Sequence, residues 1–349
     1  MRISKYSVFE MISRAQQKDI EEFVQSFALA DELENASFLV TGATGLIGSA
    51  LIHCLLALDK GIRIIAPIRD KAKAELMFVG YGGQVEWVEC NLMTCEYDHL
   101  GMVDYIVHCA SPTVGKYVEE HPVETYELAI ESTRNLLRYS ETHSIRSMVF
   151  VSSLEAYGEN HDDQKVTEQK QFYIDTQSTR SAYPLGKLAA EYLCSSYANE
   201  YEVSVKSVRL TQTFGAGINE SDRRVFAQFT RSVVSGSDIV LHTTGESSKP
   251  YCYLTDAVSA ILYVLLKGVK GEVYNVANES SYISIKDLAC YLRDTFNPMI
   301  SVRVELNDNM GYAPVTKLNL STEKLQALGW QPRYDLKQMF ERLITYLSE

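Results

Sequence analysis

The chain has 349 residues, 46% of them hydrophobic and 22% charged, which is enough to bury a sizeable core in one large α/β unit or two coupled domains. Its formal net charge of −12 argues against a general nucleic-acid-binding protein. The seven cysteines show no metal-ligand spacing, so we expect reduced thiols and no metal site. The sequence shows neither a signal peptide nor a run of about 18 apolar residues, so we expect a cytoplasmic protein that does not interact with a membrane.

Residues 1–36 precede the first β-rich run and are predicted to form a helical extension of one or two amphipathic helices. Ile20, Phe23, Val24 and Phe27 recur at helical spacing and indicate an apolar face. We expect this face to pack on the main body of the protein.

From Ser37 onward, short β-rich runs alternate with helical stretches. The predicted strands are residues 37–41, 62–68, 85–89, 104–109, 147–152, 203–209 and 272–277. The predicted helices are residues 46–59, 121–142, 185–200, 222–235, 256–267 and 284–295. Apolar strands that alternate with helices are typical of a parallel sheet covered on both faces, so we predict a doubly wound α/β fold.

The first strand runs into the glycine-rich segment FLVTGATGLIG, in which Gly42, Gly45 and Gly48 are spaced three apart. Glycines at this place let backbone amides approach a pyrophosphate, which then lies at the N-terminus of the following helix. The hydroxyls of Thr41 and Thr44 could add contacts. The alternative is an ordinary strand–helix turn that happens to contain three glycines.

The end of the second predicted strand bears on the type of dinucleotide. An acidic residue there normally binds the adenosine ribose of NAD, but this strand ends with Ile68 and Arg69, and Asp70 follows. Arg69 could pair with the 2′-phosphate of NADP, or it could stack on adenine while Asp70 reaches the ribose. The pattern slightly favours NADP.

The alternation loosens after about residue 210, where turn residues become more frequent and the elements shorter. We therefore predict that residues 37–210 form a Rossmann-type NAD(P)-binding domain with a return strand near residues 272–277. Residues 211–349 are predicted to form mainly a smaller α/β substrate-binding domain over the carboxyl edge of the sheet.

Tyr183 and Lys187 are one helical turn apart in SAYPLGKLAAEYL. A tyrosine could take the proton of a substrate hydroxyl during hydride transfer, and a neighbouring ammonium group would lower its pKa. With 22 tyrosines in the chain, about one such pair is expected by chance, so the context decides. That context is the strand MVFVSSLEAYG, whose Ser153 could orient the substrate oxygen toward Tyr183.

Together these segments resemble the extended short-chain dehydrogenase/reductases, which include the NAD-dependent nucleotide-sugar epimerases, dehydratases and decarboxylases. The resemblance covers residues 37–345, in which TGATGLIG, VDYIVHCAS, FVSSLEAYG, YPLGK, VRLTQTFG, GESSKPYCYLTD and EVYNVAN follow in the family's order. It implies a tightly bound NAD or NADP and a nucleotide-diphosphate sugar substrate. It assigns the catalytic roles to Ser153, Glu155, Tyr183 and Lys187.

The resemblance also assigns binding residues. Those at the cofactor would be Gly42, Thr44, Gly45, Leu46, Ile47, Gly48, Arg69, Asn91, Leu92, Ala110, Ser111 and Lys187. Those at the substrate would be Ser111, Thr113, Gln212, Arg224 and Lys249.

Glu155 bears on the subgroup, because similar dehydratases and UDP-glucuronate decarboxylases carry a glutamate two residues after the serine. A carboxylate there could remove the acidified C5 proton of a 4-keto sugar. Leu154 stands where the dTDP-glucose 4,6-dehydratases place an acid, which makes that subgroup less similar. The segment HCASPTVGKYVEEHPV looks most like the decarboxylases.

Several positions depart from the family pattern. Lys249 replaces an arginine expected near the diphosphate and lacks its bidentate fork. Gln212 and Ala129 each replace an asparagine, and Asn91 stands where an aspartate usually contacts adenine. These differences suggest a divergent branch whose nucleotide or sugar could differ.

The interpretation that the sequence favours is an enzyme of transient C4 oxidation, most like UDP-glucuronate decarboxylase. The alternatives are an NADPH-dependent reductase of a 4-keto nucleotide-sugar and a non-catalytic dinucleotide sensor. A homodimer is expected, formed by the helix at 121–142 and the helix of Tyr183, as in enzymes that this chain resembles.

Overall fold

The computed structural model describes residues 12–79, 81, 83–307 and 315–349. The helices are α1 (Arg14–Ser26), α2 (Leu46–Ala57), α3 (Lys71–Met77), α4 (Gly115–Glu120), α5 (Pro122–His143), α6 (Ala182–Glu200), α7 (Val225–Ser235), α8 (Leu254–Lys267), α9 (Ile285–Phe296), α10 (Glu323–Gln326) and α11 (Leu336–Leu347). Short 3₁₀ turns span Ala30–Leu33, Asp98–Leu100, Leu154–Tyr157 and Thr179–Ser181. The strands are β1 (Ser37–Thr41), β2 (Arg63–Ile68), β3 (Val85–Glu89), β4 (Tyr105–His108), β5 (Ser147–Ser153), β6 (Lys165–Val166), β7 (Val205–Leu210), β8 (Gln212–Phe214), β9 (Ile239–Leu241), β10 (Ser248–Tyr253), β11 (Val273–Val276), β12 (Asn278–Ser284), β13 (Val302–Val304) and β14 (Asn319–Leu320).

The central sheet has the order β11-β7-β5-β4-β1-β2-β3, and neighbouring strands pair in parallel throughout the described part of the chain. The strand order reverses between β1 and β4. In a doubly wound sheet, the carboxyl ends of the strands open a crevice at this reversal. The predicted fold class, a Rossmann-type parallel α/β sheet, is confirmed.

The N-terminal segment begins with α1, which starts at a capping box between Ser13 and Gln16. Its apolar face buries Ile20, Phe23 and Phe27 in the largest core cluster, which also contains residues of β1, α2 and α8. The helix thus covers the body of the protein, as a helix with one apolar stripe must. The part of the predicted extension at residues 1–11 lies outside the described residues.

Smaller sheets and a second core lie in the C-terminal part. The strands pair as β12-β10-β8, β13-β9 and β14-β6, and α7, α9 and α11 contribute to a core cluster around Phe214, Phe226 and Phe340. The chain returns to the central sheet with β11, which pairs with β7. Because β6 also pairs with β14, the two parts interleave, and the domain boundaries stay a prediction.

None of the helices in the described residues combines the length and the apolar character that crossing a membrane requires.

Candidate active site

A crevice of about 420 Å³ opens at the carboxyl ends of β1, β4 and β5 and extends to the C-terminal part of the chain. Most of the predicted site residues share this one space. Those that line it are Gly42, Gly45, Leu46, Ile47, Gly48, Ser111, Thr113, Ser153, Glu155, Tyr183, Lys187, Gln212, Arg224 and Lys249. The structure therefore brings the glycine turn, the Tyr/Lys helix and the C-terminal cations together.

The other predicted cofactor residues do not line this crevice. Arg69, Asn91 and Leu92 follow the ends of β2 and β3, on the far side of β1 from Tyr183. Arg69 is exposed, while Leu92 is anchored by its carbonyl oxygen, which accepts a bond of 3.2 Å from the side chain of Asn135. Thr44 lies within the glycine turn. These residues lie along the same edge of the sheet, where the distant half of a dinucleotide would extend.

The glycine turn is so tight that side chains do not fit at two of its positions. Gly42 has φ +68°, and a Cβ there would lie 2.8 Å from the backbone nitrogen of Ala110. A Cβ on Gly48 would lie 2.3 Å from the carbonyl oxygen of Gly42. Helix α2 begins directly after Gly45, and its N-cap has no side-chain hydrogen bond. Its first amides thus form a cradle of the kind that binds a pyrophosphate.

Thr41 does not occupy the position that the sequence suggested. Its hydroxyl is buried, lies 2.6 Å from Nδ1 of His108 and accepts a bond of 3.3 Å from the amide of Ala110. Burial lowers the pKa of His108 to about 3, with a smaller contribution from Lys187. The imidazole is therefore neutral, and Thr41 joins β1 to β4 instead of reaching a ligand.

Helix α6, which carries Tyr183 and Lys187, begins beside the end of β5. The ammonium group of Lys187 donates a hydrogen bond of 2.7 Å to the carbonyl oxygen of Val151, and it lies 5.8 Å from the centre of the Tyr183 ring. Lys187 is only 3% exposed. Burial lowers its pKa to about 8. The contact with β5 holds the lysine beneath the face of the crevice that Tyr183 borders.

The surroundings raise the pKa of Tyr183 above its ordinary value. Burial is the main cause, and the charge of Glu155 adds to it, whereas a hydrogen bond with Ser153 and the charge of Arg224 lower the pKa. Lys187 was expected to lower the pKa of Tyr183, but in the protein alone the effect of burial is larger and the pKa is raised. A cationic group placed beside the phenol would shift the pKa downward.

Glu155 lies in the 3₁₀ turn that follows β5. Its amide donates a bond of 3.1 Å to the hydroxyl of Ser153, which fixes the turn at the end of the strand. Burial lowers the pKa of Lys249, while the charge of Glu155 raises it and that of Arg180 lowers it. A carboxylate and several cations thus share the floor of the crevice.

Sequence analysis missed Arg180, which also lines the crevice. It lies three residues before Tyr183 and forms an ion pair of 3.2 Å with Glu119 of α4. The spacing of three residues in front of the helix was a signal that both side chains would face one side. Arg224 is held in a similar way by Asp222, at 2.6 Å.

These residues fit the family that the sequence resembles, and comparison with known proteins supports it. Residues 38–277 match the NAD dependent epimerase/dehydratase family. The chain is 25% identical over 313 residues to UDP-glucuronic acid decarboxylase 5 of Arabidopsis thaliana, with 87% of each chain covered. It is also 25% identical over 329 residues to UDP-glucuronic acid decarboxylase 1 of Xenopus tropicalis, covering 91% of this chain and 73% of that relative.

Solved structures with a similar fold include two UDP-glucose 4-epimerases. The enzyme of Thermotoga maritima with UDP-glucose has a TM-score of 0.77 at 22% identity, covering 89% of this chain and 98% of that chain. The enzyme of Thermus thermophilus in complex with NAD has a TM-score of 0.74 at 21% identity, covering 89% and 99%. At this identity the likeness shows the fold. Because the family match spans more than half of the chain, the protein belongs to the NAD dependent epimerase/dehydratase family, as its resemblance to the extended short-chain dehydrogenase/reductases predicted.

Proposed function

We propose that the protein acts on a nucleotide-diphosphate sugar in the manner of a UDP-glucuronate decarboxylase, with a tightly bound NAD and transient oxidation at C4. The observation that supports this most is the single crevice that joins the glycine turn to Ser153, Glu155, Tyr183 and Lys187. The decarboxylases among its relatives point to the same reaction.

The glycine turn fits a dinucleotide, because helix α2 begins directly after Gly45 without a side-chain cap and a Cβ at Gly48 would collide with the turn itself. The residues that would hold the cofactor are the glycines, Leu46, Ile47 and Lys187. A bound nicotinamide would supply the reversible hydride transfer that C4 oxidation of the sugar requires. NAD-bound neighbours of this fold favour NAD over the slight preference for NADP that Arg69 suggested.

The protein's own side chains would manage the proton. Tyr183 takes the proton of the C4 hydroxyl, and Ser153 donates a hydrogen bond to the same oxygen. Lys187 stabilises the phenolate while its contact with Val151 keeps it in place. Burial raises the pKa of Tyr183 in the protein alone, and a cation beside the phenol would lower it.

The cations would bind the anionic groups of the substrate. Lys249 and Arg224 lie on the C-terminal side of the crevice, where a diphosphate would meet them. A sugar carboxylate next to a 4-keto group is a β-keto acid and leaves as carbon dioxide without a dedicated base. The bond to the carboxyl carbon breaks and its electron pair stays on C5 as an enolate, to which Glu155 would deliver a proton.

Incubation of the purified protein with UDP-glucuronate, without added cofactor, tests this function. We expect a product lighter by the mass of carbon dioxide and no net change in the bound nicotinamide. Loss of water or an isomer of equal mass from another nucleotide-sugar would identify a dehydratase or an epimerase. Stoichiometric consumption of added NADPH would identify the reductase instead.

We also propose a homodimer formed by α5 and α6. Val123, Tyr126 and Tyr192 on these helices are 62%, 41% and 74% exposed in the single chain, so their apolar area supports an interface. Light scattering at micromolar concentration would test it, and the mass of one chain would refute it.

A further inference from the structure

A buried ion pair lies directly behind the end of β5. Glu191 of α6 and Arg209 of β7 are each 4% exposed, and the guanidinium Nη2 lies 2.6 Å from a carboxylate oxygen. Arg209 Nε donates to both carboxylate oxygens, at 3.0 and 3.1 Å. Burying two charges is costly unless the geometry is good, and this pair forms the fork expected of a strong one.

The pair belongs to a set of contacts that tie α6 to β5. One turn before Glu191, Lys187 donates to the carbonyl oxygen of Val151. The Glu191 carboxylate accepts a hydrogen bond from the hydroxyl of Ser152, the next residue along the strand. Consecutive turns of the helix therefore contact consecutive residues of the strand, which fixes how far the helix can slide along it.

Arg209 extends this link to the neighbouring strand. Ser152 is the register partner of Arg209 in the pairing of β5 with β7, and Ser153 is the partner of Leu210. The guanidinium also lies 4.3 Å from the ring centre of Tyr157, which closes the 3₁₀ turn that contains Glu155. Helix, strand and turn thus meet at one buried charge pair.

We propose that Glu191 and Arg209 are positioning residues, which hold the hydroxyl of Ser153 and the phenol of Tyr183 at their working separation. Neither side chain lines the crevice in the described part of the chain, so both act through β5 and α6. Ser152 contacts the pair through its hydroxyl, and Ser153, the next residue of β5, hydrogen-bonds with Tyr183. A shift of about 1 Å between reacting groups can slow an enzyme about 100-fold, so loss of the ion pair should lower kcat.

The experiment uses the full-length protein with its co-purified cofactor and three variants. Ser152→Ala removes the strand contact and keeps the ion pair. The double variant Glu191→Leu/Arg209→Met removes the pair without leaving a buried charge, an exchange that proteins often tolerate. Lys206→Met is the matched control, because Lys206 is equally buried on the same strand β7 but bonds to Ser147 at the opposite end.

We expect kcat to fall about tenfold in Ser152→Ala and about 100-fold in the double variant, with KM changed less than about twofold. In Lys206→Met, kcat should stay within about twofold of the parent protein, because its contacts lie away from the crevice. The kinetic measurement rests on the proposed function and uses UDP-glucuronate.

A second measurement does not depend on the substrate. In protein labelled with ¹³C at the tyrosine Cζ, the signal that is missing in Tyr183→Phe belongs to Tyr183. This signal should move in Ser152→Ala and in the double variant and stay in place in Lys206→Met.

If the parent protein does not convert UDP-glucuronate, the proposed function fails while the ¹³C signal still tests the positioning. A Tyr183 signal that stays in place in folded Ser152→Ala and double variants would overturn the positioning role, as would an unchanged kcat in an active series.

Discussion

The ammonium nitrogen of Lys187 lies 5.8 Å from the centre of the Tyr183 ring, one helical turn away on α6. A positive charge near a phenol favours its ionised form. The pair therefore has the geometry that the proposed function requires of a tyrosine base and its neighbouring cation.

Tyr183→Phe should lower turnover of the substrate by about 100-fold to 10,000-fold, the usual contribution of a general base. The ring and its packing against Lys187 persist, so the co-purified nicotinamide should be retained. Product formation by mass spectrometry and nicotinamide release on denaturation measure the two effects. Undiminished turnover would argue that another group is the base.

Gly48→Ala should abolish cofactor retention, because the added Cβ would lie 2.3 Å from the carbonyl oxygen of Gly42 and force the turn open. Absorbance of the purified variant and chromatography of its released nucleotides measure the loss. Gly115→Ala is the matched control, because Gly115 borders the crevice but a Cβ there meets nothing within 4 Å. A Gly48→Ala protein that retains its nicotinamide would refute the cradle.

Lys187→Met should make the protein more stable and inactive. The folded-state pKa of Lys187 is about 8, below its ordinary value of 10.5, so the unfolded chain binds an extra proton between these values. The free energy of unfolding of the parent protein therefore rises as the pH increases between these two pKa values. Without the lysine, the variant should show a smaller rise over the same pH range. At pH 7.5 we expect a gain of roughly 1–3 kcal/mol.

Urea unfolding at pH 7.5 and 9.5 checks the gain and the slope. Lys206→Met provides a comparison, since burial also lowers the pKa of Lys206 to about 8, and it should remove a similar share of the slope while activity persists. If Lys187→Met lowers stability at pH 7.5, the lysine contributes more through its bond to Val151 than its burial costs.

Phe23→Ala should lower the free energy of unfolding by about 3–5 kcal/mol, the cost of emptying a large buried site. Phe23 is 2% exposed and stacks on Phe27 at 5.1 Å between ring centres. Thermal and urea unfolding measure the change. Gln25→Ala, on the exposed side of the same helix, should change the free energy of unfolding by less than about 0.5 kcal/mol. If Phe23→Ala has no larger effect than Gln25→Ala, α1 is not part of the cooperative core.

The sequence was most informative where the signal is local. The predicted strand at residues 37–41 coincides with β1, and those at 62–68 and 272–277 differ by a residue or two at their ends from β2 and β11. Apolar runs and glycine spacing determine these elements within a few residues. The alternation of strands and helices also sufficed to predict the parallel sheet, because few topologies are compatible with it.

Contacts between distant residues were not predictable in this way. Thr41 was expected at a phosphate, but its partner His108 is 67 residues away and faces it only once β1 and β4 pair. The pairing of Glu119 with Arg180, 61 residues apart, is equally invisible in a single sequence. The role of such side chains depends on residues that folding brings next to them, and not on the sequence of their own segment.

Helix α1 is joined to α11 and the residue that ends the chain by three polar contacts among the described residues. The amide of Ala15 donates a bond of 2.9 Å to the side chain of Glu349, and Arg342 of α11 pairs with Asp19 and Glu22 of α1. A recombinant fragment trimmed to the matched residues 38–277 would lack both partners and leave the apolar groove that receives Phe23 open to water. A shortened version must therefore keep α1 and α11 together, because removal of either helix leaves the charged partners on the other unpaired.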